Sequence, residues 1–173
     1  IQVYSNGGIA LIICSYNYFY PNSLNFYIFL SSISAAIADT WATEIGKFSK
    51  TDPISIINFK KIKKGLSGGI TILGLFGSVL GALLLTSISL IVYHIPLKIF
   101  ILIIISGLMG SIIDSIIGAT LQVKYINQDG TITETNSRNN KVISGYELID
   151  NNIVNLINTA ISPLIFYSML NII

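Results

Sequence analysis

Charge is what this chain has least of. Only 10% of its 173 residues are Asp, Glu, Lys or Arg, against about 25% in soluble domains. With 52% hydrophobic residues and a mean hydropathy of +0.72, that scarcity excludes a soluble globular domain and points to an integral membrane protein. Cysteine is nearly absent as well: Cys14 stands alone, which excludes an internal disulfide framework. The net charge of +2 gives no argument for a nucleic-acid partner. No basic leader with a cleavage site precedes the first apolar run, so that run is not a signal peptide. There is no internal repeat and no low-complexity tract. The chain starts with Ile1 and enters an apolar run almost at once, so further spans are expected on its amino-terminal side.

What is present is a set of long apolar runs. Measured against the roughly 20 residues a helix needs to cross the hydrocarbon core, five spans are expected, near 6–20, 24–46, 67–93, 97–121 and 148–172. The expected fold is thus an all-α, polytopic transmembrane helix bundle forming one domain over 1–173. Tight turns at Pro21 and Pro96 join spans one to two and three to four. The two long connections, 47–66 and 122–148, then fall on one side. The first carries Lys50, Lys60, Lys61, Lys63 and Lys64 against Asp52, so the positive-inside tendency places both in the cytoplasm. The second is polar, with Gly130, Arg138, Asn139 and Asn140.

The second span ends unusually. Over Ala35–Lys47, helical winding puts Asp39, Thr40, Thr43, Glu44 and Lys47 on one stripe, with Ile37, Trp41, Ile45 and Phe48 on another. The apolar stripe belongs against lipid or a neighbouring helix. Two carboxylates there cost several kcal/mol unless compensated. They are either neutralised by lysines of the same loop or, as expected here, form a site in which Asp39 and Glu44 hold a divalent cation. Oxygen donors of this kind suit magnesium, which shares its shell with substrate phosphates.

Four further stretches carry polar chemistry. Lys60-Lys61-Ile62-Lys63-Lys64 runs into Gly65-Leu66-Ser67-Gly68-Gly69-Ile70-Thr71; lysines supply point charges for phosphate and glycines make backbone N–H groups accessible to an anion. A basic patch that only sets topology is the plainer account, but topology does not require the glycines. Because the lysines precede the glycines, no Walker A inference follows. Gly74, Gly77, Ser78 and Gly81 form small-xxx-small pairs suited to close helix packing. Asp114 lies within the fourth span, flanked by Gly110 and Gly118 one turn away, with Ser111 and Ser115 as possible hydrogen-bonding neighbours. An acid there marks a functional site by default, and Asp39 and Asp114 from two helices would make a metal site. Asn151, Asn155, Asn158 and Ser162 form a polar stripe; either it hydrogen-bonds to neighbouring helices, or Asp150, Asn151 and Asn155 line the same cavity as the two acids.

Taken together, these blocks resemble a known family. Ala38-Asp39-Thr40-Trp41-Ala42-Thr43-Glu44-Ile45-Gly46, the turn Lys64–Thr71, Gly110-Ser111 with Asp114–Thr120, and Asp150–Asn155 are similar to motifs of the integral membrane family called domain of unknown function ninety-two. That family includes phytyl-phosphate kinases and transmembrane protein nineteen-like members. Gln2-Val3 with Asn6-Gly7-Gly8 resembles a segment that members carry after earlier spans. Asn152 stands where relatives tend to have an acid, which removes one possible ligand.

The resemblance implies a kinase that moves a phosphoryl group from a nucleoside triphosphate, CTP or ATP, to an isoprenoid monophosphate with Mg²⁺. Asp39, Asp114 and Glu44 are the expected metal ligands, with Lys64 as a charge-neutralising catalytic residue. Thr40, Thr43, Lys63, Gly65, Ser67, Gly68, Gly69, Thr71, Ser115, Asn151 and Asn155 are the expected contacts to substrate and nucleotide. The site would face the cytoplasm. Two alternatives stay open: a CTP-dependent lipid cytidylyltransferase, and a transporter or channel with an acidic ion path. Against the latter, no inverted repeat is visible.

Overall fold

A computed structural model of the chain describes residues 2–137 and 140–172. Its frame is five helices: α1 (Gln2–Phe19), α2 (Ser23–Gly46), α3 (Ile72–Tyr93), α4 (Leu97–Thr120) and α5 (Asn151–Ile172). Five helices stand where five spans were expected. By length and composition, α3, α4 and α5 are long and apolar enough to cross a membrane. The 24-residue α2 would reach about 36 Å, but serines dilute its hydropathy.

The reason lies in its position. α2 packs against all four other helices, so much of its surface meets protein rather than lipid. Ser31, Ser32 and Ser34 are completely buried. Ser32 donates its hydroxyl to the Thr159 carbonyl of α5 at 2.9 Å, and Ser162 of α5 returns one to the Ser31 carbonyl at 2.9 Å. Part of the expected asparagine stripe joins this seam, since Asn155, Asn158 and Ser162 are buried in the bundle. Apolar side chains collect nearer the turns at Pro21 and Pro96, where Leu30, Ile95, Ile99, Leu102, Ile103 and Phe166 form a buried cluster.

Small-residue packing sets the spacing of α2 and α3. A Cβ at Gly77 would stand 2.6 Å from the Trp41 carbonyl, and one at Gly81 2.9 Å from the Ile37 carbonyl. The small-xxx-small pairs therefore bring α3 up to the backbone of the acidic helix. Trp41 and Ile45, from the expected apolar stripe, fill this contact.

Polarity of the bundle follows from its turns. Phe26 at the start of α2 and Tyr93 at the end of α3 bring their rings within 4.8 Å, fixing one end. At the other end the long connections meet, and each contains a small sheet absent from the all-helical expectation. β1 (Ile54–Ser55) pairs antiparallel with β2 (Gly69–Ile70), with Ile54 opposite Ile70. β3 (Lys124–Ile126) is flanked antiparallel by β4 (Ile132–Thr133) and β5 (Lys141–Ser144). Asp129-Gly130 makes the β3–β4 turn, a hairpin signal. Arg138 and Asn139 lie outside the described residues.

Two expected span starts shift accordingly. The third helix begins at Ile72 rather than 67, because Thr71 is extended and caps it, its hydroxyl oxygen accepting the Gly74 N–H at 2.9 Å. The fifth begins at Asn151 rather than 148. Asp150 accepts the Ile153 N–H at 2.9 Å and a side-chain N–H of Asn152 at 2.9 Å. Burial works against the Asp150 charge, but the Asn152 side chain and the Ile153 amide hold its carboxyl below the ordinary range.

Candidate functional site: an acidic cavity under a glycine turn

Helix geometry decides which members of the acidic stripe meet. Asp39 and Thr43 of α2, and Lys47 just past its end, line one cavity of about 260 Å³, together with Ala42 and Gly46. Glu44 does not. Five residues beyond Asp39, it is rotated about 140° away, and it pairs with Lys47 at 2.5 Å in a largely exposed contact. Thr40 also points elsewhere, donating its hydroxyl to the Ala36 carbonyl at 2.8 Å. The polar stripe is wider than the cavity wall it contributes to.

From α4 the cavity receives Asp114, Ser111, Ser115 and Ile112. The Ser111 hydroxyl donates to Asp39 Oδ1 at 3.3 Å, linking the two acidic helices one turn from Asp114. Asp39 and Asp114 thus face the same cavity from two helices. Asp114 Oδ2 is buried and finds no hydrogen-bond partner among the described residues. Gly110, expected to narrow this face, admits Ala35 of α2 and Asn158 of α5, whose side chains lie 2.9 and 2.5 Å from where its Cβ would be. The second acid beside Asp114 is thus delivered by α2.

The roof is the glycine turn. Lys64, Gly65, Leu66, Ser67, Gly68, Gly69, Ile70 and Thr71 all line the cavity. Gly68 has φ +81, in the left-handed region, and its backbone lies so close to Ala119 at the end of α4 that any side chain would collide with it. Gly118 serves the same approach, since its Cβ would stand 2.9 Å from that of Ser67. Two glycines therefore clamp the turn onto the helix carrying Asp114. Lys64 donates to the Ser49 carbonyl at 2.7 Å, which anchors its ammonium at the cavity wall with two N–H groups left over.

The remaining expected contacts are elsewhere. Lys63 and Asn151 line a second cavity of about 380 Å³ between the long connections, Asn155 is buried within the bundle, and Asp150 caps α5. The asparagine stripe and Asp150 therefore do not line the acids' cavity. Among the described residues, no three Asp, Glu, His or Cys side chains come together as a metal cluster. A three-carboxylate centre including Glu44 is not formed; a pair is.

Sequence reasoning also missed residues. Glu134, on the loop after β4, accepts the Ser67 N–H at 2.6 Å and the Ser67 hydroxyl at 2.7 Å. Gln122 donates to the same carboxylate at 2.8 Å, and Lys124 donates to the Ser67 carbonyl at 3.4 Å. No local pattern around Glu134 signals this, because its partners lie in another connection. Ser111 was visible, but as a partner for Asp114 rather than Asp39.

Half-buried carboxylates from separate helices beneath a lysine- and glycine-lined turn define a class: a multi-pass membrane protein with a polar pocket at one end of its bundle. The chain belongs to the integral membrane protein DUF92 family, whose model matches residues 1–162. It is 34% identical to Protein PGR of Arabidopsis thaliana over 133 residues, 69% of this chain and 46% of that protein. An uncharacterized membrane protein of Methanocaldococcus jannaschii is 36% identical over 98 residues, 57% of this chain and 41% of its own length. The chain thus spans less than half the length of both relatives. No solved structure matches.

Proposed function

We propose that this protein is a membrane-bound prenyl-phosphate kinase, transferring a phosphoryl group from a nucleoside triphosphate to an isoprenoid monophosphate at its cytoplasmic boundary. The observation that carries the proposal is that Asp39 and Asp114 share one cavity with Lys64 and the Gly65–Gly69 turn. Phosphoryl transfer asks little covalent work of protein; it asks for alignment and neutralised charge.

The residues present fit a magnesium ion. A buried, unpartnered Asp114 oxygen and a neighbouring carboxylate offer hard oxygen donors, and such an ion takes one or two carboxylates with phosphate and water completing its shell. Asp39 and Asp114 would hold it; when bound, it would offset the negative charge of the phosphates. Lys64 adds positive charge at the wall, where the charge of Lys47 is offset by Glu44, and the glycine N–H groups of the turn would supply neutral donors to phosphoryl oxygens. The acceptor is already an anion, so no strong base is required of Thr43 or Ser115.

Size and polarity support a phosphate pocket with the lipid tail outside. About 260 Å³ falls below the ~300–1,000 Å³ of pockets that enclose drug-sized ligands. Leu75 of α3 and Ile112 of α4 line the cavity and are also exposed on the bundle surface, giving an apolar tail a way out between those helices. The test is direct. Protein purified in detergent is given Mg²⁺, prenyl monophosphates and each nucleoside triphosphate, and the products are identified by mass. A prenyl diphosphate with a nucleoside diphosphate is expected. Released pyrophosphate with a CDP-lipid, or no product with any triphosphate, overturns the kinase reading.

A further inference from the structure

Nothing in the proposed mechanism calls for Glu134, yet it receives one of the denser sets of donors in the molecule. Its Oε1 accepts the Ser67 N–H at 2.6 Å, and its Oε2 accepts the Ser67 hydroxyl at 2.7 Å and the Gln122 side-chain N–H at 2.8 Å. Gln122 is 2% exposed, and its Oε1 has no partner among the described residues. Its amide is therefore fixed as a donor aimed at the carboxylate. Among the described residues no lysine lies within ion-pair distance of Glu134, although Lys63 and Lys64 line the second cavity beside it. Neutral donors alone hold its charge.

Three donors converging on two oxygens of an anion is also how a protein receives a phosphoryl group. The place is telling. Ser67 lines the acids' cavity and Glu134 lines the second, while Lys64, Gly65 and Leu66 line both. The glycine turn is the wall between the two cavities, and Glu134 reaches its donors from the outer side. The element that carries it is slight: β4 has two residues and joins the rest of the sheet only through β3.

We infer that the Ser67 N–H, the Ser67 hydroxyl and the Gln122 amide form an anion subsite, filled in this state by the chain's own Glu134 and occupied by a substrate phosphoryl group when the β4 strap that carries Glu134 swings out. The inference rests on reading the site as one that handles phosphate. Glu134 is then a built-in competitor. It keeps the subsite satisfied in the resting protein and admits only a ligand with the charge to displace it. The lysines that leave Glu134 unpaired are available to the incoming phosphate.

Inorganic pyrophosphate is the probe, with its binding to detergent-purified protein measured by calorimetry. A strap closed nine-tenths of the time weakens apparent affinity about tenfold, so Glu134→Ala is expected to bind pyrophosphate about tenfold more tightly. Glu134→Gln keeps an acceptor for Ser67 but not the charge, and is expected to fall between native and Glu134→Ala. Adding Ser67→Ala to Glu134→Ala should remove most of the gain. If Glu134→Ala loses helicity, Glu134→Gln decides alone. Unchanged or weaker binding in the folded variants overturns the inference. Turnover is not needed for this readout: tighter binding without any kinase product sinks the kinase and keeps the subsite, and kinase turnover with unchanged binding does the reverse.

Discussion

Asp39 and Asp114 are the residues on which the proposed chemistry depends. Removing an ionised carboxylate from water costs several kcal/mol, and two together cost more, yet α2 and α4 bring both into one cavity. Asp39→Asn and Asp114→Asn keep the shape and remove the charge. Each is expected to lower turnover by at least about 100-fold while far-ultraviolet dichroism stays native. Glu44→Gln should stay within about threefold of native, since Glu44 lies outside the cavity and pairs with Lys47 in a largely exposed contact, and surface pairs contribute little. Rates measured side by side at saturating Mg²⁺ check both; a Glu44→Gln loss equal to that of Asp39→Asn would return Glu44 to the site. At this scale the acids and glycines were legible because each is anomalous in its own segment. Glu44 misled because a stripe at spacings of three and four is broader than one cavity wall. Glu134 was invisible because an acid in a polar loop is not anomalous.

Among the elements, α2 is the one that every other helix needs. It carries Asp39 on one face and Trp41 and Ile45 on another, and α3 reaches it through glycines. Their small-xxx-small spacing marks packing residues, and the structure gives the partner. A Cβ at Gly77 would meet the Trp41 carbonyl at 2.6 Å and Ile45 Cβ at 2.9 Å, and neither backbone can move without moving Asp39. Gly77→Val is therefore expected to destabilise the bundle by about 1–3 kcal/mol, seen as a lower Tm in detergent. Activity should fall with it, because the wall carrying Asp39 is displaced. An unchanged Tm would show that the two helices are not held in this contact. The small sheets were not legible: strands of two to four residues offer too short a pattern, and β1 and β2 are brought together only when the loop closes over the cavity.

For the molecule as a whole, alternation of helix direction puts both long connections at one end, where Ser67 and Glu134 join them, and both short turns at the other. The lysine excess of 47–66 is the ground for proposing that the first end faces the cytoplasm. In a Cys14→Ser background, which removes the exposed native thiol, Asp129→Cys is expected to react with an impermeant maleimide only from the cytoplasmic side. His94→Cys should react only from the other. Labelling of both from the same side would break the topology, and the reverse pattern would place the site away from cytosolic nucleotide.

Composition and the long apolar runs marked the chain as a membrane bundle of five helices with tight turns at Pro21 and Pro96, because the bilayer penalises any polar or interrupted span, although only α3, α4 and α5 carry enough hydropathy to be recognised by that measure alone. The sequence also identified the acids and the glycine turn, whose cost in that setting marks them. Which acids meet, which glycine touches which backbone, and that Glu134 sits on Ser67 were decided only by tertiary structure. Those are contacts between segments far apart in sequence, set by helix rotation and loop closure, and no local pattern in the chain encodes either.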